Sequence, residues 1–436
     1  PFPKVGLIIM DEEHEGSYKS EASPKYHARE VAIEVARLHG ASVLLGSATP
    51  SLEAYYRAEM GEYKLFTLKE RLTGGQLPRV TTVDLRRELR EGNRSIFSRR
   101  LQELLADRLS KGEQSILFLN RRGYAGFVSC RSCGHVMKCP HCDVSLSEHG
   151  NSLGKGVLMC HYCGYQEPRP QTCPKCGSRY ISGFKAGTQQ IEEKLREMFP
   201  GVRTLRMDAD TTRTKDSYEK ILSAFMGGEA DVLIGTQMIV KGHDFPKVTL
   251  VGVLAADISL SAGDYRAGEK TFQLLTQAVG RAGRGTLPGE AVIQTYQPDH
   301  YAVVNAARQD YESFYSEEIL YREMLGYPPA AHMLAVQIFS KEEERGKELA
   351  ERLAAETGVG GMPRQGSRRT GAETVLIGPA PASIGRINDI FRFVFYVKSP
   401  EYDKLIQIKD ILEQKIQKMP PSNETVQFDF DPINTL

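Results

Sequence analysis

Long apolar runs, an excess of one charge and, over most of the chain, cysteine are missing from this sequence of 436 residues. No apolar stretch is long enough for a transmembrane helix, and the amino-terminal Pro-Phe-Pro-Lys does not resemble a signal peptide, so we expect a cytoplasmic protein. The formal net charge of +1 identifies no partner, and any surface for nucleic acid must come from local clustering of charge. Hydrophobic residues at 41% and charged residues at 25% are ordinary for a globular protein. The length predicts about two to four domains.

A phosphate-binding loop of the form G-x-x-x-x-G-K-[ST] is also absent from the sequence. The nearest candidate is Gly263 to Thr271, but Glu269 separates its second glycine from its lysine, so we reject it. The absence matters because Asp11 and Glu12 directly follow an apolar run. Acidic residues at the tip of a buried strand commonly hold a magnesium ion and a water against a nucleoside triphosphate.

Strand and helix patterns alternate over the first three quarters of the chain. Strands are predicted at residues 5–10, 42–45, 115–119, 202–207, 231–234, 248–254 and 290–296, and helices at 29–39, 99–110, 188–198, 214–226 and 271–281. This order predicts an α/β fold with parallel sheets in two lobes. The predicted domains are the carboxyl-terminal part of a first lobe (1–70), a connector (71–98), a second lobe (99–127 and 184–327) and an insertion in that lobe (128–183).

Residues 328–436 have a different pattern. Strands are predicted at 334–340, 375–378, 391–397 and 426–430, and helices at 342–356 and 401–418. The resulting β-α-β-β-α-β order predicts a small carboxyl-terminal α+β domain of the ferredoxin-like or a similar type. The glycine-rich stretch 358–371 is predicted to be a flexible loop within this domain.

All eight cysteines stand in four pairs with C-x-x-C spacing: Cys130/Cys133, Cys139/Cys142, Cys160/Cys163 and Cys173/Cys176. Glycine follows three of these pairs, as a zinc knuckle requires, because its turn needs a residue that tolerates positive φ. Clustered pairs in a cytosolic protein favour metal over disulfides, so eight thiolates predict two four-cysteine Zn²⁺ sites. Redox-active or buried free thiols are the alternative, which fits so many regular pairs less well.

The spacing favours a nested arrangement of the two zinc sites. Cys142 and Cys160 are separated by a segment of the length found between zinc-binding pairs, about 15–20 residues. The inner site would then consist of Cys139, Cys142, Cys160 and Cys163, and the outer site of Cys130, Cys133, Cys173 and Cys176. An interleaved arrangement is not excluded by spacing alone. All-cysteine sites are closed to water, so we expect both to be structural.

Three further segments carry polar residues at the predicted ends of strands or helices. The hydroxyls of Ser47 and Thr49 follow a strand and suit a relay between hydrolysis and a bound strand of nucleic acid. Thr236 and Gln237 are candidates for contact with a phosphodiester backbone, and Asp244 for contact with a ribose.

The third segment contains Arg281 and Arg284, which are predicted to share one face of a helix. Guanidinium groups at this spacing can reach a γ-phosphate from the facing lobe, as arginine fingers do. Taken singly, these arginines could be an exposed basic helix end and the acidic pair a solvated turn.

In their order along the chain, the segments DEEH, GSATPS, IGTQMIVKGHDFP and QAVGRAGRG resemble motifs II, III, V and VI of superfamily 2 helicases. The eight-cysteine insertion in the second lobe and the continuation DEEHEGSYKSEASPKYHARE narrow the resemblance to the primosomal replication-restart helicases, the PriA family. The resemblance extends over the whole chain, including the β-α-β-β-α-β segment.

The resemblance implies that Asp11 binds Mg²⁺ through water and that Glu12 is the general base that orients the attacking water. It implies that His14 couples this site to DNA. The family's catalytic and nucleotide-binding positions correspond here to Asp11, Glu12, His14, Gly242, Asp244, Gln277, Arg281 and Arg284.

The resemblance also implies a loop rich in aromatic residues that senses single-stranded DNA, because bases stack on ring faces with little sequence preference. The implied DNA-binding residues are Tyr18, Lys19, Tyr26, His27, Ser47, Thr49, Thr236 and Gln237. The alternative for the tyrosines is ordinary packing.

The function implied by the resemblance is an ATP-dependent 3′-to-5′ DNA helicase that uses ATP, Mg²⁺ and two structural Zn²⁺ ions. It would act in the bacterial cytoplasm on forked and single-stranded DNA, with single-stranded DNA-binding protein and helicase-loading proteins as partners. The family's phosphate loop would precede residue 1, and these 436 residues alone would not hydrolyse ATP. A non-enzymatic zinc-ribbon scaffold is the alternative; the cysteine insertion argues against a third candidate, an RNA helicase.

Overall fold

The fold is given by a computed structural model. It describes residues 3–68, 77–119, 128–141, 144–150, 156–160, 163–181, 187–208, 211–212, 215–239, 245–260, 263–285, 287–360, 373–420 and 423–433. Three residues singled out above, Cys142, Gly242 and Asp244, lie outside the described residues, as does most of the predicted flexible loop 358–371. None of the helices in the described ranges is long and apolar enough to cross a lipid bilayer.

The strands of the described residues are β1 (Leu7–Met10), β2 (Ser42–Leu45), β3 (Arg79–Asp84), β4 (Gln114–Leu119), β5 (Ser147–Gly150), β6 (Gly156–Met159), β7 (Gln166–Pro168), β8 (Thr204–Met207), β9 (Val232–Gly235), β10 (Val248–Leu254), β11 (Glu290–Thr295), β12 (His332–Ser340), β13 (Val375–Ile387), β14 (Ile390–Ser399) and β15 (Thr425–Phe430). The helices are α1 (Ala28–His39), α2 (Leu52–Glu59), α3 (Leu85–Arg90), α4 (Arg99–Lys111), α5 (Thr188–Met198), α6 (Lys215–Gly227), α7 (Asp257–Leu260), α8 (Ala267–Val279), α9 (Tyr301–Arg308), α10 (Tyr311–Leu325), α11 (Glu343–Glu356) and α12 (Tyr402–Gln417).

Strands β1 and β2 form a parallel pair at the start of the chain. Helix α1 connects them and ends at Gly40, whose φ of 65° gives the left-handed turn that glycine adopts without strain. Because parallel strands end at the same edge of a sheet, the segments after β1 and after β2 meet there. Gly46 N–H donates a hydrogen bond of 2.8 Å to the Met10 carbonyl and fixes that meeting.

The second lobe is a six-stranded, fully parallel sheet in the order β3-β11-β10-β4-β9-β8. Every residue of β4 and β10 is buried, as expected for central strands of a parallel sheet that is covered by helices on both faces. The parallel α/β architecture predicted from the sequence is therefore confirmed.

One strand of this sheet was not predicted. β3 lies inside the segment interpreted as a connector (71–98), yet it pairs with β11 along its whole length and forms the edge of the sheet. Four β-branched residues, 80–83, favour a strand there, but the charged and glycine-rich residues around them obscured the pattern.

The prediction that Arg281 and Arg284 share a helix face was wrong. Helix α8 begins earlier than predicted and ends at Val279, so both arginines lie in the turn that follows it. The chain turns there because Gly283 has a φ of 66° and packs so closely on Gly289 that an added Cβ would overlap the Gly289 backbone.

The carboxyl-terminal domain is an antiparallel four-stranded sheet in the order β13-β14-β12-β15. With the helices in their predicted places, this order is that of a ferredoxin-like fold. One face of the sheet packs on α11 and α12 through residues such as Leu353, Leu405 and Phe395. Met333 and Tyr396 belong to the opposite face, which packs on the cysteine-rich insertion.

A network of buried ion pairs joins the two lobes to α10. Glu269 lies 3.3 Å from Arg266, which immediately precedes α8, and 3.2 Å from Arg322 on α10. Arg266 also pairs with Glu53 of the first lobe at 2.6 Å, and Arg322 pairs with Glu318 at 2.7 Å. Arg266, Glu269, Glu318 and Arg322 are almost completely removed from water, and Glu53 is mostly so, which makes each charge dependent on its partners.

The sequence from Gly263 to Thr271 resembles a phosphate loop, but the contacts of Glu269 and Gly268 show that this segment has a packing role. Glu269 accepts a hydrogen bond of 3.0 Å from the backbone N–H of Leu52, where α2 begins. A Cβ added at Gly268 would lie 2.6 Å from a carboxylate oxygen of Glu318, so a glycine is required for close packing there. Gly268 and Glu269 therefore both serve the packing around the buried ion pairs.

We predict that Glu269→Ala destabilises the chain by about 3–5 kcal/mol, because it leaves Arg266 and Arg322 short of a buried counter-charge. Urea unfolding followed by circular dichroism measures this change. Glu351→Ala, which removes an exposed carboxylate from α11, is the matched control and should cost less than about 0.5 kcal/mol. A loss below about 1 kcal/mol for Glu269→Ala would contradict the role of the network.

Candidate functional site

Four cysteines of the insertion converge on one point. The sulfur atoms of Cys130, Cys133, Cys173 and Cys176 all lie within 4.8 Å of one another. The Sγ atoms of Cys130 and Cys176 are 3.6 Å apart, as are those of Cys133 and Cys173. Sulfur atoms at about 2.3 Å from a tetrahedral zinc ion are roughly 3.8 Å apart, so this donor set fits Zn²⁺. The grouping is that of the outer site in the nested arrangement.

The second cluster contains Cys139, Cys160 and Cys163, whose sulfur atoms also lie within 4.8 Å of one another. The Sγ atoms of Cys139 and Cys163 are 3.6 Å apart. Cys142, the fourth residue predicted for this site, lies outside the described residues. The two clusters separate the pairs as nesting predicts, whereas interleaving would have brought Cys130 to Cys160.

The knuckle turns have the backbone geometry that the sequence predicts. Gly134, Gly164 and Gly177 have φ values of 76°, 76° and 71°. In each of these knuckles the glycine N–H donates to the carbonyl of the first cysteine, at 2.8, 2.9 and 2.8 Å respectively. Such turns direct further backbone N–H groups at the thiolates, which stabilises their negative charge.

The insertion is wedged between the second lobe and the carboxyl-terminal sheet. Leu146 and Leu158 of the insertion share a hydrophobic core with Met333 of β12. On the other side, Gly134 lies so close to the Tyr296 carbonyl oxygen that an added Cβ would overlap it. Packing on both sides fixes the insertion relative to the sheet that carries the helicase-like motifs.

The acidic segment after β1 is held by a residue that the sequence analysis did not select. Glu13 is buried, accepts hydrogen bonds from Ser51 N–H at 2.6 Å and Ser51 Oγ at 2.9 Å, and lies 3.4 Å from Arg29 Nη1. It therefore ties the acidic segment to the start of α2. Its position within the run DEEH was the one signal available. The neighbouring carboxylates of Asp11 and Glu12 point to the surface, and Glu12 has the unusual φ of 48°.

His14 joins three of the helicase-like segments. Its Nδ1 lies 2.6 Å from Ser47 Oγ, and its Nε2 lies 2.6 Å from the side-chain amide nitrogen of Gln277 on α8. Nδ1 is also 3.6 Å from a carboxylate oxygen of Glu12. We call Ser47, His14 and Gln277 the inter-lobe relay. It gives a continuous polar path from the acidic pair to the second lobe.

The other predicted site residues near these segments differ in how far their side chains are exposed to solvent. Arg281 is only 7% exposed, whereas Arg284 is exposed and donates a hydrogen bond of 3.0 Å from Nε to the Gly280 carbonyl. Thr49 is fully buried and its backbone N–H donates to Ser47 Oγ at 3.0 Å. The assignment of Thr49 to DNA contact stays a prediction.

A cleft of about 1210 Å³ lies between the first lobe, α8 and the carboxyl-terminal domain. His14 and Gln277 of the relay line it, together with Gln237. Thr236 stands just before Gln237 in a short turn, and its N–H donates to the Met207 carbonyl at 3.3 Å.

Residues 15–27, called the aromatic loop from here on, form one wall of this cleft. Tyr18 Oη donates a hydrogen bond of 2.8 Å to the Asp11 carbonyl, which connects the loop to the acidic pair. Tyr26 is 51% exposed. Burial lowers the pKa of His27 to about 4, so at neutral pH it is uncharged and caps α1 by accepting from Arg29 N–H. Lys19 pairs with Asp429 on β15.

Three parts of the chain match known families. Residues 323–433 match the primosomal protein N C-terminal domain, residues 139–168 the PriA DNA helicase Cys-rich region, and residues 179–286 the helicase conserved C-terminal domain. The replication restart protein PriA of Bacillus subtilis (strain 168) is 47% identical over 433 residues, which are 99% of this chain and 52% of that protein. The chain belongs to the PriA family.

Other members of the PriA family match over a similar extent. The replication restart protein PriA of Synechocystis (strain PCC 6803) is 43% identical over 442 residues, 100% of this chain and 51% of that protein. The chain thus spans about half the length of the curated relatives it matches.

Among solved structures, S. cerevisiae Dbp5 bound to RNA and ADP BeF3 shares 14% identity, with a TM-score of 0.35 over 71% of this chain and 57% of Dbp5. The helicase Lhr of Mycobacterium smegmatis bound to ssDNA and AMP-PNP shares 14% identity, with a TM-score of 0.36 over 71% of this chain and 31% of Lhr. Both similarities are too weak to support a functional comparison.

We predict two zinc ions per chain, measured by mass spectrometry of the purified protein. In the nested arrangement, Cys130→Ser/Cys173→Ser removes ligands from one site and should retain one ion, whereas Cys139→Ser/Cys173→Ser should lose both. Ser132→Ala, a change between two ligands that removes no thiolate, should retain both ions. The opposite result for the two double variants would establish interleaving.

Proposed function

We propose that this chain supplies the carboxyl-terminal part of the first motor lobe, the second motor lobe, the zinc module and the carboxyl-terminal domain of an ATP-dependent 3′-to-5′ DNA helicase that restarts replication at stalled forks. The observation that carries this proposal is the inter-lobe relay, because it connects motif II to motif III and motif VI through one histidine. A scaffold without motor activity has no need for such a path. The relatives, which carry the name replication restart protein, supply the biological setting.

In the proposed mechanism, Asp11 helps to hold Mg²⁺ and Glu12 orients the attacking water. Exposed carboxylates at a strand tip suit Mg²⁺, which prefers oxygen ligands and keeps several of its waters. Mg²⁺ held there would supply positive charge to offset the negative charge that develops on the transferred phosphoryl group. His14 contacts Glu12 at this site and Gln277 on α8, so a change in the position of Glu12 is transmitted to the second lobe. Arg284, being exposed, is the better placed arginine to meet a phosphate.

The proposed DNA contact is the aromatic loop, together with Gln237, which lines the same cleft. Tyr26 presents a half-exposed ring on which a base can stack. Forked and single-stranded DNA are the proposed substrates, and single-stranded DNA-binding protein and helicase-loading proteins the proposed partners, in the bacterial cytoplasm. Both zinc sites have a structural role, because closed sets of thiolates have no place for a reacting water.

We expect no ATP turnover from residues 1–436 alone, because their sequence contains no loop to fix the β- and γ-phosphates. Fusion to the amino-terminal half of the Bacillus subtilis relative should produce hydrolysis stimulated by single-stranded DNA. In that fusion, Glu12→Gln should lower the rate by about 10²–10⁴-fold, as loss of a general base does. Glu103→Gln, an exposed change on α4 away from the cleft, is the control and should have no effect.

Two outcomes would contradict this scheme. Turnover by residues 1–436 that disappears in Glu12→Gln would reveal a phosphate site within these residues. A fusion that binds zinc and folds but never hydrolyses ATP would favour the zinc-ribbon scaffold.

We predict that Tyr26→Ala weakens binding of oligothymidylate by about 5–150-fold, since stacking on one ring contributes about 1–3 kcal/mol. Fluorescence anisotropy with labelled oligonucleotide measures the affinity. Thermal stability should hardly change, because the ring is half exposed. Tyr26→Phe should bind normally, and Phe66→Ala serves as a control at an exposed ring outside the loop. Lost stability with unchanged affinity would show that Tyr26 has a packing role.

A further inference from the structure

Two lysines of the aromatic loop share one carboxylate of the carboxyl-terminal domain. Lys19 Nζ lies 2.8 Å from Oδ1 of Asp429, and Lys25 Nζ lies 4.0 Å from Oδ2 of the same group. The side chains are only 10%, 7% and 10% exposed for Lys19, Lys25 and Asp429, respectively. Asp429 stands on β15, an edge strand of the carboxyl-terminal sheet.

The other acceptors of these two ammonium groups belong to the same domain. Lys19 donates a hydrogen bond of 2.8 Å to the Phe430 carbonyl, and Lys25 donates one of 2.8 Å to Gln337 Oε1 on β12. The backbone of the loop is closed by an antiparallel bridge between Lys19 and His27, so both lysines belong to one compact segment. The carboxyl-terminal domain therefore holds the charged part of the aromatic loop while Tyr26 faces out.

A phosphodiester resembles the Asp429 carboxylate in the features that the lysines recognise. Both groups carry one negative charge shared by two terminal oxygens, so either can accept from two ammonium groups at once. Burial is the main cause that lowers the pKa of Lys25, and Asp429 opposes that shift. A buried ammonium in this place consequently needs an anion, whether carboxylate or phosphate.

We propose that Asp429 is an internal substitute for a DNA phosphate, which latches the aromatic loop to the carboxyl-terminal domain until single-stranded DNA displaces it. This inference rests on the proposed function of the loop as a DNA contact. Phosphates of the single-stranded DNA replace Asp429 at Lys19 and Lys25 while a base stacks on Tyr26. The loop then separates from β15. Asp429 then lowers the affinity of the resting protein for DNA and makes loop release a consequence of binding.

The latch also has a path to the second lobe. Immediately after β15, the Pro432 carbonyl accepts from Tyr265 Oη at 3.4 Å, and the Ile433 carbonyl accepts from Lys270 Nζ at 2.9 Å. Lys270 stands on α8, the helix that carries Gln277 of the inter-lobe relay. If β15 moves away from the loop, these two hydrogen bonds transmit the movement to the second lobe. Lys270 brings it to α8, the helix whose Gln277 contacts His14.

The first test is DNA affinity of the whole chain at fixed salt, with labelled oligothymidylate as the probe. Asp429→Asn should bind about fivefold more tightly or better, because one competing charge is removed while the shape is kept. Asp403→Asn, an equal change of charge on α12 of the same domain, should bind as the parent does. Adding Lys25→Gln to Asp429→Asn should remove the gain. Unchanged or weaker binding by Asp429→Asn overturns the proposal, provided that zinc content and melting temperature show a folded chain.

The second test needs no DNA and separates the latch from the proposed function. Hydrogen exchange of the loop amides, measured by mass spectrometry, should be faster in Asp429→Asn than in Asp403→Asn. Equal exchange overturns the latch even if the parent chain binds DNA. Faster exchange without DNA binding by any variant would show that Asp429 holds the loop, but would overturn both its displacement by DNA and the assignment of the loop to DNA.

Discussion

The buried carboxylate of Glu269 is the point on which the arrangement of this molecule depends. It is neutralised by Arg266 and Arg322, which in turn pair with Glu53 of the first lobe and Glu318 of α10. Charges so far from water are stable only when all their partners are present. The network therefore favours one relative placement of the first lobe, α8 and α10, and the relay and the cleft exist only in that placement.

Within that placement, small groups connect distant parts of the chain. His14 lies between the acidic pair and α8, and Asp429 lies between the aromatic loop and β15. Each is a single polar residue at the meeting point of two domains, so binding events on one side have a direct physical route to the other. This arrangement is consistent with the proposed function, in which hydrolysis and DNA contact are linked.

The sequence predicted features that depend on local spacing and failed where distant partners decide. Strand β10 and helix α5 have their predicted limits because periodicity and flanking residues set them. The four C-x-x-C pairs predicted two clusters because knuckle geometry is local. The end of α8 was misplaced because the turn depends on Gly283 packing against Gly289. The partners of Asp429 could not be predicted for the same reason. Lys19 is 410 positions away in the sequence, and no pattern in either segment indicates that the two residues are in contact.

Glycine is required at position 134 for two separate reasons, one for the zinc knuckle and one for packing between domains. Its positive φ completes a zinc knuckle, while its lack of a side chain admits the Tyr296 carbonyl of the second lobe. A residue such as asparagine tolerates positive φ but would still intrude on that carbonyl. A chain altered in this way could carry its full complement of metal and yet have its insertion displaced from the lobe. Metal content alone is thus an incomplete measure of whether the domains of such a protein are correctly assembled.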